Sequence, residues 1–297
     1  KVIALIAPTV IGMAAYQLND LVCTSLATRT AEGIASSLQY SLRMQELILG
    51  IFAVSIGTVI LPDMSSYAIK KEWDEFNNIL VQAIKIMILI SIPVTFYSLI
   101  NGKELITLLY KNKTFDDKSV LQTLGVFNFH MTGLVFIALN RVIAPAFYAL
   151  KQPKLPTFAG IISFVVNIIF AFVLVIPMKG EGIALALTIA SAVNTIFLFI
   201  YMKKIEFIKV GKVIKGTVFY SLKIIIFSVI ASVPCCLLHE KILTLCAGHG
   251  KIISFGGPIL IQLFIRRYWK NKILEIASKI KEMGIKKLIS DKYGGCQ

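Results

Sequence analysis

The sequence has few charged side chains and none of the common signatures of enzymes. Only 16% of its 297 residues are charged, whereas soluble domains contain about 25%. Its three histidines have no carboxylate partner at a spacing suited to acid–base catalysis, and it contains no P-loop, HExxH or GxSxG sequence. The composition therefore excludes a water-soluble globule, and we expect no enzymatic activity.

The cysteines also lack the spacing of a metal site. The five of them form no CxxC pair and no Cys/His ligand pattern, so the sequence predicts neither a metal nor a cofactor. What the sequence has instead is long apolar runs along its whole length, which make up a 57% hydrophobic composition. These runs predict an all-α polytopic membrane protein with about eight transmembrane helices. The predicted spans are 2–27, 34–61, 77–100, 120–149, 156–177, 182–202, 214–238 and a short last one at 252–265.

The formal net charge of +15 fits a membrane protein better than a nucleic-acid-binding one. Lysine and arginine accumulate in cytoplasmic loops, where they meet anionic membrane lipids, so we expect no nucleic acid partner. If residue 1 is cytoplasmic, most of the cations in the connections fall inside. This orientation predicts a cytoplasmic C-terminus and favours the short last span.

The basic segment 203–223 is the one clear change in composition. We interpret it as a hinge between a six-helix unit, 1–202, and a second part, 203–297. That second part contains two further spans and a basic amphipathic cytoplasmic tail, which is suited to the headgroup layer. The chain begins without Met in an apolar run, so we expect it to continue a longer protein.

Arg43 is a charged residue inside the second predicted span. Such a residue costs about 2.5–3.5 kcal/mol at the bilayer centre, and it is therefore a functional candidate. Glu46 and Gln39 share its helix face because they lie three residues after it and four before it. Two interpretations stay open: Arg43 and Glu46 form a structural ion pair, or Arg43 faces a water-filled cavity and binds an anion through its planar donor fork.

Other polar residues in the predicted spans indicate buried or water-facing helix surfaces. Asn19 and Asp20 occur in YQLND (16–20), which predicts that the first helix borders other helices or a cavity. His130 has no nearby carboxylate, which favours a hydrogen bond within the bundle over proton transfer. Lys85 and Arg141 lie within reach of a cytoplasmic helix end, toward which their side chains can extend.

Several segments carry a family resemblance. LQYSLRMQELILGIFAVSIGTVILPDMSSYA (38–68) resembles the eighth-helix signature of the lipid II flippase (MurJ or MviN) family. NRVIAPAFYALKQPKLP (140–156) is similar to the end of the family's tenth helix, and YQLNDLVCTSLA (16–27) is similar to its seventh. The resemblance is ordered and dense over residues 1–202 and weakens afterwards.

This resemblance implies the second lobe of a two-lobe flippase, with two extra helices. The implied substrate is a lipid-linked disaccharide-peptide pyrophosphate, moved across the bacterial cytoplasmic membrane. The implied partners are membrane lipids and the missing N-terminal lobe. The family's cavity arginine falls on Arg43, which would hold the pyrophosphate, and Arg141 falls at a position that is often Lys or Arg. Some members use acidic residues on the seventh and eleventh helices for a cation. Here Cys23 stands where the seventh helix usually has Asp, and the eleventh-helix region offers Asn167 with Ala171 one turn on, so we expect no such site.

Together, the residues and the resemblance predict a substrate-binding set composed of Arg43, Glu46, Gln39, Arg141, Asn19 and Asp20. An exporter of drugs or polysaccharide-linked lipids from the same superfamily is the nearest alternative. A non-transporting membrane scaffold is another, and it requires Arg43 to be sealed against Glu46 away from any hydrated space.

Overall fold

The computed structural model describes residue 14 and residues 17–246, including the side chains outside 51–59, 212 and 230–246. The predicted span 252–265 and the basic tail lie outside the described residues. The chain divides into two compact units, Lys1–Val229 and Ile230–Gln297. The cavities and side-chain contacts described below belong to the first unit.

All regular structure in the described part of the chain is helical, which confirms the all-α class. Helix α1 covers 17–28. The helices that follow are α2 (Ile34–Lys70), α3 (Trp73–Tyr110), α4 (Asp117–Thr132), α5 (Leu134–Ala149), α6 (Lys154–Met202) and α7 (Val210–Cys246).

Helix α2 carries three of the six predicted site residues, Gln39, Arg43 and Glu46. It begins after Gly33, whose φ of 81° lies in the left-handed region that glycine adopts without strain. Its 37 residues correspond to a length of about 55 Å, well beyond the roughly 30 Å of a bilayer's hydrocarbon core. The helix therefore extends past the predicted span 34–61 by more than two turns.

The predicted span 120–149 is a pair of helices rather than one. Helices α4 and α5 meet at Gly133 and are bent by 44° relative to each other. A Cβ atom at Gly133 would lie 2.6 Å from Oγ1 of Thr188, so α6 approaches the bend too closely for any side chain. This close approach explains why the break falls at a glycine.

Helix α6 contains two predicted spans that fold back on each other. Lys179 interrupts the helical dihedral angles with φ 52° and ψ −128°. Beyond it, the Ser163 hydroxyl donates a hydrogen bond of 2.8 Å to the Ala190 carbonyl oxygen, 27 residues along the chain. A straight helix would separate these residues by about 40 Å, so α6 is a hairpin of two antiparallel limbs. The limbs match the predicted spans 156–177 and 182–202.

Helices α2 to α6 pack against one another. The packed interior contains fully buried aromatic side chains from three helices, Phe76, Phe127 and Phe147. The first limb of α6 instead exposes a series of large apolar residues: Phe158, Val165, Ile169, Phe172, Val173 and Ile176. Such a surface suits contact with acyl chains, and helix association against it depends on close packing.

Two described helices are long and apolar enough to cross a bilayer by themselves, Trp73–Tyr110 and Lys154–Met202. The bent pair α4–α5 meets the same requirement if it is counted as one span. Since α6 doubles back, it contributes two passes. The chain is therefore a multi-pass membrane protein.

Candidate functional site

The central cavity of the first unit is the main candidate site. It has a volume of about 470 Å³ and lies between α1, α2, α5 and both limbs of α6. Amide and hydroxyl side chains from all four helices line it together with a comparable number of apolar residues. The polar and charged lining residues are Asn19, Gln45, Glu46, Asn140, Arg141, Ser163, Asn167, Ser191 and Asn194.

Hydrogen bonds fix the wall formed by α5 and the second limb of α6. The Asn140 side chain donates to the Ser191 carbonyl oxygen at 3.2 Å, and Thr195 Oγ1 donates to Asn140 Oδ1 at 2.9 Å. Both polar ends of the Asn140 amide are thus satisfied within the protein, which holds its orientation in the cavity wall. This wall is preorganised by its own side chains.

The opposite wall joins α1 to the first limb of α6. Asn167 Nδ2 donates to Asn19 Oδ1 at 2.6 Å and contacts Cys23 Sγ at 3.3 Å. The Oδ1 atoms of Asn167 and Asn194 are buried and have no hydrogen-bond partner among the described residues. Buried carbonyl oxygens of this kind are normally paired, so these two acceptors retain capacity for a water or ligand donor.

A second, smaller cavity adjoins the first. It has a volume of about 50 Å³ and shares Asn19, Leu42 and Leu187 with the central cavity. Gln39 Nε2 lies 3.4 Å from Asp20 Oδ1 and 3.3 Å from Thr24 Oγ1 at its edge. The structure therefore brings together Gln39, Asp20 and Asn19, three of the predicted site residues.

Arg43 lies at the edge of the central cavity rather than in its wall. Its side chain is 73% exposed, and its Nη1 atom is 3.6 Å from Oε2 of Glu46. Glu46 lines the cavity, so the guanidinium stands next to a lining carboxylate. The geometry combines features of both interpretations of Arg43, because it contains the ion pair and leaves most of the guanidinium accessible.

Arg141 lines the central cavity directly, beside Asn140 and Ala144 on α5. Its side chain is exposed. In the described part of the chain, Arg141 and Glu46 are the two charged residues in the cavity wall. The cavity in this unit is thus mainly neutral, with apolar and uncharged polar residues mixed in its walls.

His130 does not line the central cavity but lines the smaller one beside it. It is 1% exposed, and its Nδ1 atom is 2.6 Å from the Ser41 hydroxyl. Gln45, a cavity-lining residue, donates through Nε2 to the His130 carbonyl oxygen. This confirms the expectation of a hydrogen bond within the bundle.

Several lining residues were not predicted from the sequence. Asn140, Ser163, Asn167 and Asn194 line the cavity but were not among the predicted site residues. The sequence does contain a signal for the three asparagines, because an amide side chain inside an apolar span indicates a buried or water-facing helix surface. Among the described residues, no group of three His, Cys, Asp or Glu side chains is placed to hold a metal.

Comparison with known proteins identifies the family of the chain. A family profile described as "Lipid II flippase MurJ" matches residues 1–255. A protein of Treponema pallidum named "Probable lipid II flippase MurJ" is 47% identical over 265 residues, which are 89% of this chain and 50% of that protein. A Haemophilus influenzae protein of the same name is 27% identical and is matched over 94% of this chain and 52% of its own length. The chain spans about half the length of these relatives.

Solved structures share the fold. "Lipid II flippase MurJ, inward closed conformation" superposes with a TM-score of 0.71 at 24% identity, covering 92% of this chain and 55% of that one. An outward-facing multidrug resistance transporter of the MATE family, in the MOP superfamily, superposes with a TM-score of 0.61 at 13% identity, covering 80% and 54% of the two chains. From the profile match over most of its residues, this chain belongs to the lipid II flippase MurJ family.

Proposed function

We propose that this chain forms the second half of a flippase that moves a lipid-linked disaccharide-peptide pyrophosphate across the bacterial cytoplasmic membrane. The proposal extends to this chain the activity in the names of its relatives. The central cavity is the observation that carries it, because a transporter needs a polar chamber at membrane depth and a scaffold does not.

The chemistry of the cavity wall suits the neutral part of such a headgroup. Sugars and peptides present hydroxyl and amide groups, and the walls supply amides from α1, α2, α5 and α6. The unpaired oxygens of Asn167 and Asn194 provide acceptors for these groups. A drug-like apolar ligand would leave the amide and hydroxyl groups of the wall unused.

The size of the cavity supports a need for a second half. Pockets that enclose drug-sized ligands measure roughly 300–1,000 Å³, and a disaccharide-peptide is larger than most drugs. A cavity of about 470 Å³ can therefore accommodate only part of that headgroup. The preceding half would supply the facing wall, and rocking of the halves would open the chamber to each side in turn.

Two arginines are the proposed contacts for the pyrophosphate. The Arg43 guanidinium is largely accessible and stands next to the cavity-lining Glu46, while Arg141 lies in the wall itself. Guanidinium groups bind phosphate oxygens through paired hydrogen bonds. Glu46, Gln39, Asn19 and Asp20 would position these cations and the sugar groups. The excess of cations on one side favours a cytoplasmic C-terminus.

A complementation experiment tests the proposed function. The chain, joined to its preceding half, is expressed in bacteria whose own lipid II flippase is depleted. We expect the wild type to rescue growth and Arg141→Gln to lose rescue. The control is Lys154→Gln, which removes an exposed lysine at the first position of α6 and should rescue fully at equal expression.

Failure of the joined wild-type protein to rescue growth, when it is present in the membrane, would contradict the proposal. Export of a drug or of a polysaccharide-linked lipid by the same protein would favour the exporter alternative. Rescue that tolerates loss of both arginines would remove them from the proposed pyrophosphate contacts.

A further inference from the structure

A second polar pocket lies away from the central cavity. It has a volume of about 180 Å³ and shares no lining residue with that cavity. Its walls come from the first turns of α3 and from the segment that leads into α7. The lining residues are Asn77, Asn78, Val81, Gln82, Lys85, Lys209 and Val213, and we name it the α3–α7 pocket.

The walls of this pocket are tied together by specific contacts. Asn77 Nδ2 donates to the Phe207 carbonyl oxygen at 2.9 Å, and Asn77 Oδ1 accepts from the Lys209 backbone N–H at 3.0 Å. The Trp73 and Phe207 rings stack with their centroids 4.3 Å apart. These contacts fix the Asn77 amide and join the start of α3 to the segment before α7, so the two walls are held against each other.

One of its two lysines has no acidic partner among the described side chains. Lys209 pairs with Asp74 on the exposed rim. Lys85 is half-buried, with its Nζ atom 5.9 Å from the centre of the Tyr220 ring, and it takes part in none of the ion pairs under 4.0 Å between described side chains. A half-buried ammonium in an apolar helix is costly, and an anion in the pocket would compensate its charge.

The position along α3 fits a membrane interface. Helix α3 runs regularly from Trp73 to a break at Asn101, and this length of about 42 Å exceeds a hydrocarbon core of about 30 Å. The pocket uses the second to fourth turns of the helix, on the side that the positive-inside rule makes cytoplasmic. Lipid phosphates of the inner leaflet occupy this depth.

We propose that the α3–α7 pocket binds the phosphate of an anionic phospholipid of the cytoplasmic leaflet. Lys85 supplies the counter-charge, and the Asn78 and Gln82 amides donate hydrogen bonds. Val81 and Val213 line the same pocket, and α7 exposes Val218, Phe219 and Leu222 further along, which gives an acyl chain an apolar surface to follow. Free inorganic phosphate carries the same kind of charge, but it has no acyl chain to contact that apolar surface.

Lipid titration of the full-length protein tests this site. The protein in detergent is titrated with phosphatidylglycerol or phosphatidylcholine, and bound lipid is counted by native mass spectrometry without the flippase substrate. We expect selective retention of phosphatidylglycerol by the wild type. Lys85→Gln should weaken it about fivefold, the effect of one interfacial cation.

Two further variants make the result decisive. Asn78→Asp places a carboxylate at an exposed wall position and should weaken binding at least as much, with little risk to folding. Lys103→Gln removes an exposed lysine near the other end of α3 and should bind like the wild type. Wild-type phosphatidylglycerol affinity in both Lys85→Gln and Asn78→Asp would overturn the proposal.

A competition experiment distinguishes a lipid ligand from a free phosphate ion in this pocket. Displacement of phosphatidylglycerol by inorganic phosphate at equal concentration would overturn the assignment to a lipid, while retention of the lipid supports it. Because the readout is lipid binding, its failure leaves the transport proposal unaffected, and failed complementation leaves this one unaffected.

Discussion

At the scale of single residues, Arg43 is the side chain whose role is easiest to separate from stability. An exposed ion pair such as Arg43–Glu46 contributes at most about 1 kcal/mol. Arg43→Ala should therefore leave thermal stability nearly unchanged. We expect it to abolish rescue of flippase-depleted cells, because the pyrophosphate loses a bidentate donor, and Arg43→Lys should rescue partially.

The matched control for this prediction is Arg29→Ala, which removes another exposed arginine just beyond α1. Loss of rescue accompanied by a lower melting temperature in both Glu46→Gln and Arg43→Ala would assign the pair to helix packing. Full rescue by Arg43→Ala at equal expression would remove Arg43 from the mechanism.

The buried His130 should matter for stability rather than for proton movement. Replacement by Ala leaves the fully buried Ser41 hydroxyl without its partner, at a cost of about 1–3 kcal/mol, and opens a cavity as well. We expect a lower melting temperature in detergent, and a smaller decrease for Ser41→Ala. Loss of transport in a His130→Ala protein that melts like the wild type would contradict this assignment.

The side-chain contacts that could be predicted from the sequence are those between residues close to each other along the chain. The Arg43–Glu46 contact follows from the three-residue spacing on a helix, and the structure contains it. The contact of Gln39 with Asp20, across 19 residues, depends on how α1 and α2 pack. The pairing of Asn167 with Asn19, across 148 residues, depends on the whole bundle and could not be read from local pattern.

At the scale of helices, the turn at Lys179 provides a test of the α6 hairpin. Its dihedral angles are close to those of the first central residue of a type II′ turn, which favours glycine. A non-glycine residue there costs about 1–3 kcal/mol of strain. We expect Lys179→Gly to be more stable than Lys179→Ala by about 1 kcal/mol after the greater unfolded-state entropy of glycine is subtracted.

Both variants remove the same exposed lysine side chain, so they control for each other. Thermal unfolding in detergent gives the comparison. Equal stability, or a less stable Gly variant, would argue against a strained turn at this position.

The stability of the first turn of α4 should depend on pH through the carboxylate of Asp116. The backbone N–H and the hydroxyl of Ser119 donate to its carboxylate, and these bonds hold the pKa of Asp116 below its ordinary value of 3.8. A depressed pKa means that this contribution to stability is present above that value and is lost as the pH falls through the folded-state pKa. In hydrogen exchange, we expect the first turn of α4 to be protected above this range and to lose protection below it.

Asp116→Asn keeps a capping side chain without the charge and serves as the control. Its first-turn protection should not change over the same pH range once intrinsic exchange rates are taken into account. An identical pH dependence in the wild type and this variant would assign the effect to another group.

Helix positions were well predicted from apolar length, while breaks within helices were not. The span 77–100 lies within Trp73–Tyr110, and the two limbs of α6 match two predicted spans. The bend at Gly133 was missed because a single glycine in an apolar run is compatible with a continuous helix. Its cause is the close approach of Thr188, which belongs to another helix.

At the scale of the whole molecule, the orientation in the membrane can be measured directly. In a protein whose native cysteines are replaced by serine, Lys113→Cys in the α3–α4 connection and Lys204→Cys in the α6–α7 connection report opposite sides. In intact cells, a membrane-impermeant maleimide should label Lys113→Cys and reach Lys204→Cys only after lysis. Labelling of both, or the reverse pattern, would contradict a cytoplasmic C-terminus.

The fold class and family could be predicted because both depend on features repeated along the chain. Apolar runs specify the helices, and the motifs around Arg43 and Pro145 resemble one family. The central cavity could not be predicted in the same way, since its amide-lined walls combine residues from α1, α2, α5 and α6, and only the packed bundle brings them together. The division between residues 1–202 and 203–297 stays a prediction.

The hairpin of α6 limits how this half of the transporter can move. The turn between the limbs consists of Lys179 alone, and the Ser163–Ala190 hydrogen bond joins the limbs further along. Because so short a connection does not let one limb slide past the other, we expect both limbs to move as one rigid body. Displacement during a transport cycle would then be taken up at a connection outside the hairpin, such as 111–116, where a crosslink should stall the protein.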